Sequence, residues 1–141
     1  MKTALLTLLL LGVLTQQTAK NEISVSISGL KNQKGQVLIY LFSRETGFPT
    51  EFNSALKSGK ANISGTVSQF VFFDIPPGNY AIAIVHDENG DSKLGTNFMG
   101  IPSEGIGVSN NPKGSLGPPK FKQAVFIHQN GPTKISINTN Y

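Results

Sequence analysis

Asp87, Asn89 and Asp91 alternate near the start of the stretch from Val85 to Asn110, VHDENGDSKLGTNFMGIPSEGIGVSN. Alternate residues of these types can turn carboxylate and amide oxygens toward one centre, as in the first half of a calcium loop, with the Lys93 carbonyl next in order. Glu104 is the acid that would close such a metal site from farther along. An EF-hand is excluded, because its sixth position needs glycine and its twelfth glutamate, where this chain has Ser92 and Phe98. Calcium is the cation that Asp87, Asn89, Asp91 and Glu104 suit. The alternative is a solvated tight turn on Asn89-Gly90 that takes no ion.

His86, with Asp87 and Glu104, offers a zinc site or a general acid–base pair, the equipment of a small metal-dependent hydrolase. The alternative is a histidine that organises the loop by hydrogen-bonding its backbone through either ring nitrogen. His128 is the only other histidine, so a three-histidine zinc site is excluded. Ser103, Ser109 and Ser115 lack a nucleophile elbow, and the glycines from Gly100 to Gly117 do not form a phosphate loop. Those glycines permit unusual backbone angles while Phe98, Met99 and Ile101 pack beneath the loop. Alternatively the same apolar residues, with Pro118, Pro119 and Phe121, line a groove for a glycan, peptide or lipid. His86, Phe98 and Pro102 are the loop-organising or binding candidates.

Charge sharpens the contrast. The chain carries a net charge of +4, yet residues 85–110 hold Asp87, Glu88, Asp91 and Glu104 against Lys93 alone. After Glu104 there is no acid, only Lys113, Lys120, Lys122 and Lys134. This places a candidate cation site beside a surface that favours anions, or sets lysines to guard strand edges. Nucleic acid is excluded as a partner, since Arg44 is the one arginine and the bases are not interleaved with aromatics. With no cysteine, disulfides, thiol catalysis and thiolate metal sites are excluded too.

The elements that must position this loop read as strands. Glu22 to Ser28 alternates apolar and polar, and Gln36 to Phe42 is a continuous apolar run suited to a central strand. The spacing of Gly29 and Gly35 predicts a hairpin between them. Thr50 to Lys57 reads as one or two helical turns with Thr50 as N-cap and Phe52, Ala55 and Leu56 inward. Asn62 to Asp74 gives one long strand or two, and Pro76-Pro77-Gly78-Asn79 is a turn. Tyr80 to His86 alternates again, with Tyr80 expected as a buried corner residue that bonds the backbone. Phe121 to His128 and Thr133 to Asn138 read as a final hairpin. The expectation is an all-β, antiparallel sandwich of about seven strands with a long loop over about 86–120.

The 141 residues divide into a leader over 1–19 and one domain over 20–141. Lys2, the apolar run Ala4–Leu14 and Ala19 form a secretory signal too short to span a bilayer. The expected location is therefore exported: periplasmic, outer-surface or secreted, with no transmembrane segment after cleavage.

Two longer stretches carry a resemblance. They are Phe73-Asp74-Ile75-Pro76-Pro77-Gly78-Asn79-Tyr80-Ala81 running on to His86-Asp87-Glu88-Asn89-Gly90, and Asn97-Phe98-Met99-Gly100-Ile101-Pro102-Ser103-Glu104-Gly105 followed by Gly117-Pro118-Pro119-Lys120-Phe121. They resemble a bacterial exported family, domain of unknown function 2141, over Ile23 to Ile137. The resemblance implies a secreted β-sandwich similar in outline to transthyretin-like modules, and no established activity. The family pattern has a glycine where this chain has Ser92 and an acid where it has Gly95, so one ligand carboxylate is missing. Together these readings give a non-enzymatic binding or structural module of the bacterial envelope, for an envelope or extracellular ligand, with the small hydrolase as its rival.

Overall fold

The computed structural model describes residues 20–113 and 116–141; the expected leader over 1–19 and Ser115 lie outside the described residues. The strands are β1 (Glu22–Ser28), β2 (Gln36–Phe42), β3 (Lys57–Ala61), β4 (Ile63–Ser64), β5 (Val67–Phe73), β6 (Gly78–Asp87), β7 (Gly105–Val108), β8 (Phe126–His128) and β9 (Pro132–Asn138). One sheet runs β4-β5-β1-β9; the other runs β3-β2-β6-β7, with β8 paired to the start of β6. The two sheets make the expected β-sandwich, with nine strands among the described residues where about seven were expected. Among the described residues no helix is long and apolar enough to cross a membrane.

The period-two alternation decides what lies between the sheets. Ile23, Val25 and Ile27 of β1 point inward against Val37, Ile39 and Leu41 of β2 and Ile82 and Ile84 of β6, all buried in one cluster. Tyr80 is buried at the corner after Pro76-Pro77, and its hydroxyl donates to the Pro76 carbonyl at 2.8 Å. That is the corner role expected of it.

Three sequence expectations are corrected. The hairpin at Gly29–Gly35 does not form: β1 and β2 belong to different sheets, and the connection crosses between them with Leu30 buried beneath it. Alternating strands with a glycine-marked turn fit a hairpin or an inter-sheet arch equally well, and burial of Leu30 favours the arch. The final hairpin is also absent. Phe121–Ala124 forms a single helical turn, α1, whose Lys120 N–H is accepted by the Gln123 side chain at 2.8 Å. β8 then pairs with β6, while β9 lies parallel to β1, the one parallel pair among the described strands. Finally, the helical segment over 50–57 shrinks to a 3-10 turn, Phe52–Ser54; it starts from Glu51 without a side-chain cap, and Leu56 points outward.

β6 is buried on both faces from Tyr80 to Asp87. Its outer face, with Ala81 and Ala83, is covered by a second apolar layer of Phe42, Val108 and Ala124, backed by Phe48 and Phe121. Phe48 meets both Phe42 and Phe121 edge to face, at centroid distances of 5.2 and 5.7 Å. This outer layer positions the loop segments that surround the candidate site.

Candidate functional site

β6 ends in His86 and Asp87, both fully buried. The Lys34 carbonyl, 2.8 Å from His86 Nε2, can only accept, so Nε2 carries the proton. Nδ1 then accepts from the Tyr141 hydroxyl at 2.6 Å, and that hydroxyl in turn accepts the Lys31 N–H at 3.0 Å. His86 therefore ties β6 to the β1–β2 connection and to residue 141.

Asp87 accepts the Asp91 N–H on Oδ1 at 3.2 Å, and the Ser92 N–H and Gln36 Nε2 on Oδ2 at 3.0 and 2.8 Å. Ser92 is held at φ 62°, in the region that glycine favours, which accounts for the glycine of the resembled family at that position. Glu104 is also buried and accepts the Glu88 N–H at 3.2 Å and the Gly95 N–H at 2.9 Å. A Cβ at Gly95 would lie 2.9 Å from Ser103 Oγ, so a side chain there would crowd the residue beside Glu104. The loop base is thus fastened by two buried carboxylates that accept backbone N–H groups.

Asn89 and Asp91 are exposed and serve local turns. Asn89 Oδ1 accepts the Asp91 N–H at 3.1 Å, and Asp91 Oδ1 accepts the Lys93 N–H at 2.9 Å. The four candidate metal ligands therefore separate into a buried pair, Asp87 and Glu104, and an exposed pair. Among the described residues no group of three or more His, Asp or Glu side chains is spaced to hold an ion.

Glu88 pairs with Lys31 at 2.7 Å and accepts Asn32 Nδ2 at 3.0 Å. The Lys31 ammonium, then the Asn32 amide, hold its carboxyl below the ordinary carboxylate range. A depressed folded-state pKa gives a stabilising contribution that is complete above the unfolded value and lost as pH falls through the folded one. Lys31→Ala is expected to move the Glu88 titration upward, read by carboxyl NMR. An unmoved titration would show that the pair does not persist in solution.

The apolar residues of the loop behave differently from the packing expected of them. Phe98, Met99 and Ile101 are 97%, 64% and 52% exposed, so none is a core residue. The loop gets its order from polar contacts instead; Asn97 Oδ1, for one, accepts the N–H groups of Met99 and Ile101 at 2.9 and 3.0 Å. Ile101 and Pro102 face a cleft of about 650 Å³ with Ala83, Val85, Ile106 and Val108 among its lining residues. Phe52 contributes from the 3-10 turn and Pro49 from the chain just before it, and Pro112, Pro118 and Pro119 from the segment before α1. Pro102 also bridges to Thr96, closing the loop on itself. Of the residues named for a groove, Ile101, Pro118 and Pro119 line this cleft, whereas Phe98, Met99 and Phe121 do not. Pro49, Phe52 and the outer-face strand residues were not foreseen. The one sequence signal for them was the near-continuous apolar character of β2 and β6, which marks strands covered on both faces.

Scaffold and loop together define a small two-sheet β-sandwich whose hydrogen-bonded loop overhangs an apolar cleft. Residues 25–136 match the family model described as "Uncharacterized protein conserved in bacteria (DUF2141)", and the chain belongs to that family. No curated protein and no solved structure matches the chain.

Proposed function

We propose that this domain is a non-enzymatic binding module of the bacterial envelope and that the cleft beneath the 94–102 loop is its ligand site. The cleft itself carries this reading. Its volume of about 650 Å³ falls in the range of small-molecule sites, and its lining is mostly apolar with a few polar groups. Its overhanging wall is tied down by Glu104 and Asn97, which favours a pre-formed site. Both ring nitrogens of His86 and both carboxylates of a hydrolase set already have protein partners, which favours binding over catalysis. The basic start and apolar run of residues 1–19 support export.

The test is binding of a neutral naphthylamine dye whose fluorescence rises in apolar surroundings. Ala83→Leu and Ile106→Trp, which add bulk at lining positions, are each expected to weaken the dye about tenfold or more. Ile101→Ser, at a half-exposed position that folding tolerates, should weaken it less. Dye binding that is equal in all four proteins would place the site elsewhere and remove this reading.

A further inference from the structure

We infer that the cleft takes the hydrocarbon tail of a single-chain anionic amphiphile, its head group held outside by lysines on the rim. The inference rests on the binding-module reading and names the ligand class of that site. Among the described residues no charged residue lines the cleft, and the polar lining side chains are Thr50, Thr96, Asn111 and Asn140. A glycan or an extended peptide would leave hydroxyl or amide groups without partners against such a lining, whereas a hydrocarbon tail needs none.

The rim supplies the sign of the head group. Lys93, Lys113 and Lys120 each adjoin a lining residue, Leu94, Pro112 and Pro119 respectively, and all three lysines are exposed. Consecutive Cα atoms lie about 3.8 Å apart, so each ammonium is within a side chain's reach of the mouth. Among the described residues none of the three forms a salt bridge. Glu51 adjoins two lining residues, and the buried Glu104 carboxylate accepts the Gly95 N–H between Leu94 and Thr96; the three exposed lysines outnumber these two acids.

The lips are apolar. Met99 and Leu116 adjoin the lining residues Gly100 and Gly117, and Phe98 follows closely; Phe98 and Leu116 stand essentially fully exposed. Exposed apolar side chains borne on the segments that also supply the lining mark an interaction surface.

The experiment is displacement of the neutral dye from the full chain by laurate, neutral monolaurin and cationic dodecyltrimethylammonium, each below its micelle concentration. Laurate is expected to displace at about fivefold lower concentration than the cation, the scale of two exposed charge contacts, and less so at high salt. Lys113→Glu with Lys120→Glu, both at exposed positions, should abolish that preference and leave dye binding intact. Ala83→Leu should weaken laurate and dye together. If the three amphiphiles displace equally, the cleft stays a binding site and the anionic preference is overturned. If the protein never binds the dye, the cleft reading itself fails. Capture by anionic vesicles without laurate binding would overturn the inference in favour of a membrane surface.

Discussion

Gly35→Ala is expected to destabilise the domain by about 4 kcal/mol or more, at the exceptional end of single substitutions. Gly35 has φ 69°, where an alanine is already strained. A Cβ there would come within 1.8 Å of the Asp87 carbonyl oxygen, and 2.8 Å of the Asp87 carbonyl carbon and the Glu88 Cα. These are backbone atoms, so no rotamer change relieves the overlap. Either the start of β2 or the end of β6 must move, and the two are paired there, Gln36 opposite Asp87. The same movement would pull Lys34 from His86 and Gln36 from Asp87, so the loop base should loosen with the strands. Gly90 is the control. It has φ 73° but nothing within 4 Å of an added methyl, so Gly90→Ala carries only the left-handed strain of about 1–2 kcal/mol. Urea midpoints measure both. A Gly35→Ala protein as stable as Gly90→Ala would mean that β2 and β6 do not approach this closely.

The contrast between these glycines shows what sequence alone conveys. Both sit in polar turn segments and both read as turn residues, yet only the tertiary approach of Asp87 makes one of them irreplaceable. The strands themselves were legible, because alternation in β1 and the apolar run of β2 follow directly from which faces are buried. The corner tyrosine was legible from Pro76-Pro77-Gly78-Asn79-Tyr80. The partners of the strands were not. Nothing local distinguishes an arch at Gly29–Gly35 from a hairpin, or tells β9 to lie parallel to β1, since pairing is decided by contacts far apart in the chain.

The candidate site divides along the same line. A histidine and an aspartate closing an apolar strand before an acidic loop drew attention for sound reasons. Residue type could not say whether those carboxylates face solvent, a cation or backbone N–H groups. Nor could it join Pro49 and Phe52 to Ile101 and Pro118 across one cleft. The polar residues turn out to shape the loop, and the apolar ones, released from packing duty, are left at its surface and along the cleft.

Asp87→Ala should therefore cost about 2–4 kcal/mol, while Asn89→Ala and Asp91→Ala should each cost under about 1 kcal/mol. Removing the Asp87 carboxylate leaves the Ser92 N–H and the Gln36 amide without their acceptor and the Asp91 N–H with Asn89 Oδ1 alone. Ser92 then loses the contact that holds its left-handed conformation, and the loop wall should lose order along with cleft binding. Asn89 and Asp91 lie in water, which can replace the turn bonds they make. A calcium loop would rank these residues differently: all three would matter, and only with the ion present. N–H groups already occupy at least one lone pair on each oxygen of Asp87 and Glu104, which lessens what a divalent cation would gain there. Melting of the wild type in chelator and in millimolar calcium is thus expected to coincide. A calcium-dependent rise in melting temperature that vanishes alike in the Asp87, Asn89 and Asp91 variants would reverse this conclusion and make the loop a cation site.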